Sequence, residues 1–217
     1  MAKLRVILFD MDDTLLKLNV DWKSLTEDID ADYFNGNYSY LNPHGFFVAY
    51  FSKLLDRLTG KQRTAVRKRR LDAERQGAVT ETCFPYRGTI AMLSELYKLG
   101  VVSGNYGPTV RAALSRCGLR RYMRALVSID DCPVSKPSPE PLFMALRMLK
   151  ERPERALYVG DDPDDIRAGK AAGMRTVGVA ASDGAFHALE EVAPDAIISN
   201  VGELPKALLR IELSKRF

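Results

Sequence analysis

Short apolar runs alternate with helical spacing over most of the chain. From about residue 86 onward, each apolar run is followed by a segment in which apolar residues recur every three or four positions. This alternation predicts parallel strands joined by helices that cover both faces of the sheet. The run LRVILFD at 4–10 adds a central strand. The other predicted strands are 98–103, 125–129, 156–160, 176–180 and 196–199, with helices at 109–118, 140–151, 164–173 and 185–193.

Residues 17–85 interrupt this alternation. A helix is predicted at DWKSLTEDI (21–29), and a strongly basic helix at about 61–76, but the segment contains no strand pattern. A further apolar helical face is formed by Phe47, Phe51, Leu54 and Leu58. We therefore predict a helical insertion after the first strand, a lid over the sheet. The predicted division is an α/β core of residues 1–16 and 86–217 and a helical cap of residues 17–85.

Composition and charge narrow the classes of partner. Hydrophobic residues make up 46% and charged residues 28% of the 217 positions, which is ordinary for a globular protein. The net charge of +4 is too small to indicate nucleic acid. The basic run KQRTAVRKRR could follow phosphates, but it has no interleaved aromatic residues for base stacking, so a solvated helix face is favoured. One of its residues could instead reach a second anionic group of a substrate.

No targeting or membrane segment is expected. Charge returns directly after the first apolar run, and the longest uncharged stretch, at 35–52, is rich in Asn, Gly, Pro and Ser. We expect a cytoplasmic protein with no membrane partner, while the oligomeric state is left open.

The cysteines and histidines show no metal-binding spacing. Cys83, Cys117 and Cys132 are scattered and form no CxxC pair, which predicts three free thiols in a reducing cytoplasm. His44 and His187 are far apart in sequence, which argues against a metal site built from several histidines.

Polar side chains follow the ends of four predicted strands, where open parallel sheets bind their ligands. If these side chains converge, one permanent cation faces at least four carboxylates. Such a site requires a divalent cation, and its oxygen-only ligands indicate Mg²⁺. A carboxylate beside Mg²⁺, with an amine and a hydroxyl nearby, suits a tetrahedral phosphoryl group. The residues at and just after these strand ends are Asp10, Asp12, Ser103, Gly104, Asn105, Lys136, Asp161 and Asp165.

Four short segments that contain these residues resemble the sequence motifs of the haloacid dehalogenase superfamily, in the correct order. They are DMDDT (10–14), Ser103, KPSPE (136–140) and GDDPDD (160–165), and the following DDIRAGKAAGMRTVGV is similar as well. The resemblance covers both ends of the chain and the whole predicted sheet. It implies an α/β fold, a doubly wound parallel sheet with a Rossmann-like core and an inserted all-helical cap domain.

The resemblance also implies roles for single residues. Asp10 would attack phosphorus and form the phospho-enzyme, and Asp12 would move the protons of the leaving oxygen and of the attacking water. Ser103 and Lys136 would hold the phosphoryl oxygens, helped by Gly104 and Asn105. The ligands of Mg²⁺ would be Asp10, Asp161 and the backbone carbonyl of Asp12, and the supporting residues Thr14 and Asp165.

These roles imply a reaction, with alternatives. An acid at Asp12 argues for phosphate esters over halides or phosphonates, so we expect Mg²⁺-dependent hydrolysis of a small phosphorylated metabolite through an aspartyl-phosphate. Phosphoglycolate-phosphatase-like enzymes have the most similar motif layout and cap position. A phosphomutase of the β-phosphoglucomutase type and a non-catalytic binding module remain alternatives. Asp13 stands where Gly is common and Asp162 where Ser is common, and the sequence leaves their roles open.

Overall fold

The structure is a computed structural model that describes residues 3–36, 54–55, 57–79, 81–132 and 134–213. The predicted contributions of Phe47 and Phe51 to a helical face lie outside the described residues. The chain divides into two compact units, one formed by Met1–Lys17 and Thr82–Phe217 and the other by Leu18–Glu81. Within the described ranges, no helix is both long and apolar enough to cross a membrane.

The first unit is built on a parallel sheet. Strands β1 to β8 are, in chain order, Val6–Phe9, Leu16–Lys17, Thr82–Cys83, Lys98–Val102, Met123–Val127, Ala156–Gly160, Arg175–Val179 and Ala196–Ile198. Six of them form one sheet in the order β5-β4-β1-β6-β7-β8, with every neighbouring pair parallel. All four residues of β1 are buried, as expected of a central strand covered on both faces.

The sheet is doubly wound. The chain runs outward from β1 through β4 to β5 and then returns to β6 on the other side of β1. In such sheets the reversal of strand order opens a crevice at the carboxyl ends of the central strands. The six strands of this sheet begin and end within two residues of the predicted ranges.

Both units contain helices. Helices α1 to α8 are Trp22–Phe34, Gly60–Gly77, Arg87–Leu96, Gly107–Arg116, Glu140–Leu149, Pro163–Ala171, Asp183–Glu191 and Leu204–Leu213. Helices of the first unit, α3 to α8, accompany this sheet, while α1 and α2 belong to the second unit. The apolar side of α5 packs on β1, β4 and β5, and α6 packs on β6 and β7. Helix α8 is absent from the sequence prediction, although Leu204, Ala207, Leu208 and Ile211 are buried at helical spacing.

The second unit is helical in its described part. Ile29 of α1 and Val66 of α2 share a buried cluster with Leu54, Leu55 and Leu58. The basic helix α2 exposes Lys61, Arg67, Lys68 and Arg69, as expected of a solvated face, but Arg70 departs from that expectation. The Arg70 side chain is 1% exposed, and its Nε donates to Oε1 of the equally buried Glu74 at 2.8 Å. The charge of Arg70 is therefore balanced by Glu74 inside the unit. The spacing of basic residues in the sequence does not indicate this pairing.

A short ribbon corrects the prediction that residues 17–85 contain no strand. Strands β2 and β3 pair antiparallel, with Leu16 opposite Cys83 and Lys17 opposite Thr82. Two-residue strands are too short to show the alternation by which a strand is recognised in a sequence.

The prediction of three free thiols is wrong for two of the cysteines. Cys83 in β3 forms a disulfide with Cys117, which lies directly after α4, and their Cα atoms are 5.3 Å apart. The two cysteines are 34 positions apart in the sequence and match no spacing motif. They are brought together by the return of the chain at β3. Cys132 is free and buried.

Candidate active site

Asp10 and Lys136 meet at the carboxyl end of the central strand. Asp10 directly follows β1, and its backbone N–H donates to the Val159 carbonyl at 2.8 Å. The residue is 8% exposed. The Lys136 ammonium donates to Asp10 Oδ1 at 2.6 Å and also to Asp165 Oδ1. Two acids and the amine that the sequence placed after separate strands therefore form one hydrogen-bonded group.

Tyr158 completes this group and was missed by the sequence analysis. Its side chain is fully buried in β6, with the hydroxyl 3.1 Å from both Lys136 Nζ and Asp165 Oδ1 and 3.2 Å from the Val102 carbonyl oxygen. The three donors of the lysine ammonium are therefore matched to Asp10, Asp165 and Tyr158. The sequence feature that could have indicated its role is a tyrosine, which carries a hydroxyl, inside the otherwise apolar run ALYVG.

Asp161 lies on the same edge of the sheet. It follows β6, and Thr14 donates from its hydroxyl to Asp161 Oδ1 at 2.9 Å. Carboxylate oxygens of Asp10, Asp161 and Asp165 all lie within 4.8 Å of one another. The predicted convergence of strand ends is thus present in the geometry.

Asp165 sits behind the other two acids. Its Oδ1 meets Lys136 and Tyr158, while its Oδ2 accepts the Asp162 backbone N–H at 3.1 Å. A side chain at Gly160 would collide with this carboxylate, so glycine there leaves the room that Asp165 occupies. The oxygens of Asp165 are committed to protein donors, which suits a supporting role better than a metal ligand.

The electrostatics of the group favour an additional cation. Burial raises the pKa of Asp10 to about 7, with a further contribution from Asp165, although Lys136 opposes the shift. Burial, then Asp10 and Asp165, raise the pKa of Asp161 well above its ordinary value. Burial alone would lower the pKa of Lys136, but Asp10 and Asp165 raise it well above its usual range, so it stays charged. A single ammonium does not balance these carboxylates.

The donor set fits Mg²⁺. Asp10 and Asp161 present carboxylate oxygens within reach of one ion, and no sulfur or imidazole takes part in this group of the described residues. Hard oxygen donors of this kind are those that Mg²⁺ binds through one or two carboxylates. Asp10, Asp161 and the predicted carbonyl of Asp12 are the groups that could hold the ion.

The phosphate-binding candidates lie next to this group. Ser103 is buried after β4, and Ser103, Gly104 and Lys136 line one cavity of about 20 Å³, which has room for a water molecule. The Asn105 backbone N–H donates to Ser103 Oγ at 3.2 Å, so this N–H group is hydrogen-bonded within the loop. Asn105 Nδ2 is buried and has no hydrogen-bond partner among the described residues.

The remaining acids of the two motifs have identifiable local roles. Asp12 is half-buried and pairs with Leu16 in an isolated bridge. Asp13 has φ of 55°, a left-handed conformation that Asp tolerates better than most residues, which explains an acid where Gly is common. Asp162 caps α6 by accepting the Asp164 N–H at 2.7 Å, and burial, followed by Asp165, raises its pKa to about 7.

Comparison with known proteins agrees with this geometry. Residues 7–179 match the model of the family described as haloacid dehalogenase-like hydrolase. The chain is 30% identical over 205 residues to the pyrophosphatase PpaX of Oceanobacillus iheyensis, covering 93% of this chain and 95% of that one. It is 31% identical over 213 residues to PpaX of Bacillus pumilus, covering 94% and 95%.

Solved structures share the fold. A haloacid dehalogenase-like hydrolase from Bacteroides fragilis superposes with a TM-score of 0.75 at 24% identity, covering 93% of this chain and 100% of that one. A predicted phosphoglycolate phosphatase from Haemophilus somnus superposes with a TM-score of 0.70 at 20% identity, covering 95% and 98%. The chain therefore belongs to the haloacid dehalogenase-like hydrolase family and is an enzyme of that hydrolytic class.

Proposed function

We propose that this enzyme is a Mg²⁺-dependent phosphatase that cleaves a small phosphorylated metabolite through an aspartyl-phosphate on Asp10. The observation that carries the proposal is the hydrogen bond of Lys136 to Asp10 within the group that also contains Asp161. A nucleophilic carboxylate, a permanent cation and a second metal-binding carboxylate are the parts that phosphoryl transfer to an acid requires.

Asp10 is the nucleophile of the proposed first step. A carboxylate oxygen of Asp10 forms a bond to phosphorus while the bond from phosphorus to the leaving oxygen breaks. Lys136 favours the ionised form of Asp10, since its charge opposes the rise in the Asp10 pKa that burial causes. The attacking group is thereby kept available inside a buried site.

Asp12 carries the protons of both steps. It is two residues from Asp10 and half-buried. In the proposal it gives its proton to the leaving oxygen and then accepts one from the water that hydrolyses the phospho-enzyme. An acid at this position suits a leaving group that needs a proton.

Ser103 and Lys136 bind the phosphoryl oxygens. The Ser103 hydroxyl lines the same small cavity as Lys136, so the two can contact one tetrahedral group. Because the three donors of Lys136 are matched to protein acceptors, a phosphoryl oxygen gains a hydrogen bond from this amine by displacing one of them. Bound Mg²⁺ would supply further positive charge as a Lewis acid.

The Leu18–Glu81 unit is proposed to be the helical cap that selects the substrate. Its helix α2 presents Arg67 and Lys68 to solvent, whereas Arg70 is consumed by its pair with Glu74. A substrate with a second anionic group would suit such exposed cations. Pyrophosphate, the substrate in the name of the PpaX relatives, and phosphoglycolate both have one.

Phosphate release tests the proposal. Purified enzyme is incubated with p-nitrophenyl phosphate, pyrophosphate and phosphoglycolate, with Mg²⁺ or with EDTA. We expect Mg²⁺-dependent release from at least one compound, loss of release in Asp10→Asn, and retention in the control Asp13→Asn, whose carboxylate is exposed beside Lys17. Release by Asp10→Asn at the wild-type rate would refute the proposal. Isomerisation of a sugar phosphate without release would instead identify a mutase.

A further inference from the structure

We infer that the Cys83–Cys117 disulfide is a thiol–disulfide exchange site that controls turnover by tying the polypeptide connection between the two units to the catalytic unit. The inference concerns regulation and rests on the proposed function for its kinetic part. The disulfide and the pairing of β3 with β2 are observed independently of that function.

The bond lies beside the point where the chain returns to the catalytic unit. The chain leaves that unit after Lys17 and re-enters it at Thr82. Both connections continue directly into the β2–β3 ribbon, in which Lys17 pairs with Thr82 and Leu16 with Cys83. Cys83 is therefore the second residue of the catalytic unit after the return.

The other end of the bond belongs to the frame of the candidate active site. Cys117 ends α4, and its N–H donates to the Ala113 carbonyl at 3.0 Å. Helix α4 begins at Gly107, shortly after the loop that carries Ser103. The disulfide thus joins the returning strand to the helix that follows a predicted phosphate-binding loop.

The strand pairing of β3 is short. The strand has two residues, both exposed, and it pairs only with the two residues of β2. An isolated two-stranded pairing of this length contributes little stability by itself. The covalent bond therefore adds a restraint on β3 that this short pairing does not supply.

Cys83 is accessible to a thiol reagent, because the residue is exposed. In the proposed exchange, a thiolate of a dithiol attacks the Cys83 sulfur and the S–S bond breaks, releasing the Cys117 sulfur as a thiolate that takes up a proton. The second thiol of the reagent then displaces Cys83. The protein gains two thiols, and the dithiol leaves as its own disulfide.

The position of the disulfide predicts its effect on the rate of turnover. When two units of an enzyme move relative to each other, a few connecting residues absorb the change in backbone angles. A covalent bond at the second residue after such a connection restricts that change. We therefore expect the reduced enzyme to turn over faster, by about twofold or more if motion of the units limits the rate.

The test compares both redox states of the same protein. Enzyme isolated without reductant is treated with dithiothreitol or left untreated, and thiols are counted by iodoacetamide labelling and mass spectrometry. Backbone hydrogen exchange of β2 and β3 is measured in both states, together with kcat and KM for p-nitrophenyl phosphate. Cys83→Ser and Cys117→Ser remove the bond, and Cys132→Ala is the matched control that keeps it.

We expect dithiothreitol to add two labelled thiols, to speed exchange in β2 and β3, and to raise kcat in the wild type and in Cys132→Ala. Cys83→Ser and Cys117→Ser should have the kcat of the reduced enzyme and no response to dithiothreitol. Thiols already free at Cys83 and Cys117, or an unchanged kcat on reduction, would overturn the inference. Absence of turnover in both states would refute the proposed function and the kinetic control, while hydrogen exchange would still decide whether the bond restrains the ribbon.

Discussion

The Lys136 ammonium lies 2.6 Å from the Asp10 carboxylate although 126 positions separate the two residues in the sequence. Each follows a strand of the parallel sheet, and the sheet brings their strand ends to one edge. The pair puts the permanent charge of the site on the carboxylate proposed as the nucleophile. It is therefore the contact whose loss should have the largest electrostatic effect.

Replacing the lysine tests that effect. In Lys136→Met, Asp10 and Asp165 lose the cation that opposes the effect of burial, so the Asp10 pKa should rise further and less of the nucleophile should be ionised. We expect kcat for p-nitrophenyl phosphate to fall by about 10²–10³, the range seen when one preorganised donor is removed. The exposed Lys206 supplies the control; equal activities of Lys136→Met and Lys206→Met would contradict the assignment.

Tyr158 should position Lys136 without touching the substrate. Tyr158→Phe removes one hydroxyl from a fully buried network and leaves the ring in the core. We expect kcat to drop by about tenfold, equivalent to one hydrogen bond to a charged group, with little change in KM. A shift of the pH profile should accompany the loss, because the lysine is held less firmly beside Asp10. Tyr122→Phe, in a half-buried tyrosine outside the network, is the control, and wild-type kinetics in Tyr158→Phe would exclude the role.

The raised pKa values predict how stability depends on pH without a divalent cation. Asp10 and Asp162 have pKa values of about 7 in the fold, against an ordinary 3.8. Between these values the folded protein keeps protons that the unfolded chain releases, so the free energy of unfolding should fall as pH rises from about 4 to about 7. Bound Mg²⁺ favours ionised carboxylates and should flatten that fall.

Thermal unfolding in EDTA and in Mg²⁺ at about pH 5 and about pH 8 measures this difference. Asp10→Asn in EDTA should show a smaller fall than the wild type, because one of the titrating acids is gone. A pH dependence that is the same in EDTA, in Mg²⁺ and in Asp10→Asn would show that these acids are not the source.

The disulfide should also stabilise the catalytic unit. It closes a segment with a sequence separation of 34, and a loop of that length corresponds to about 4 kcal/mol of unfolding free energy in the chain-entropy model. Denaturant unfolding with and without dithiothreitol should differ by about that amount in the wild type. Cys83→Ser should unfold like the reduced wild type under both conditions, and a wild-type curve that dithiothreitol does not move would contradict the assignment.

The sequence predicted most of the sheet and the meeting of Asp10, Lys136 and Asp161, because both follow from local patterns. Apolar runs predict strands, and parallel strands place their carboxyl ends together. Tyr158 was missed because it lies within a strand, where only the packing of neighbouring strands shows that its hydroxyl reaches Lys136. The link from Cys83 to Cys117 was missed because it depends on where the chain returns from the second unit, and a two-residue strand leaves no sequence pattern.

The burial of Arg70 is a related case. Its neighbours in the sequence are basic, and nothing in the spacing separates it from the exposed Arg67. Only the packing of α2 shows that Glu74, one helical turn later, neutralises it. Helix α8, in contrast, was missed although its regular apolar spacing could have been recognised without tertiary information.

The central claim is that the sheet gathers Asp10 and Asp161 around one Mg²⁺ so that Asp10 can accept a phosphoryl group. A crystal structure of the enzyme grown with Mg²⁺ and beryllofluoride tests it most directly, because beryllofluoride imitates a phosphoryl group on a carboxylate. We predict beryllium bonded to an Asp10 carboxylate oxygen and Mg²⁺ held by Asp10 and Asp161. Beryllofluoride bound away from Asp10, or Mg²⁺ bound without both carboxylates, would contradict the account.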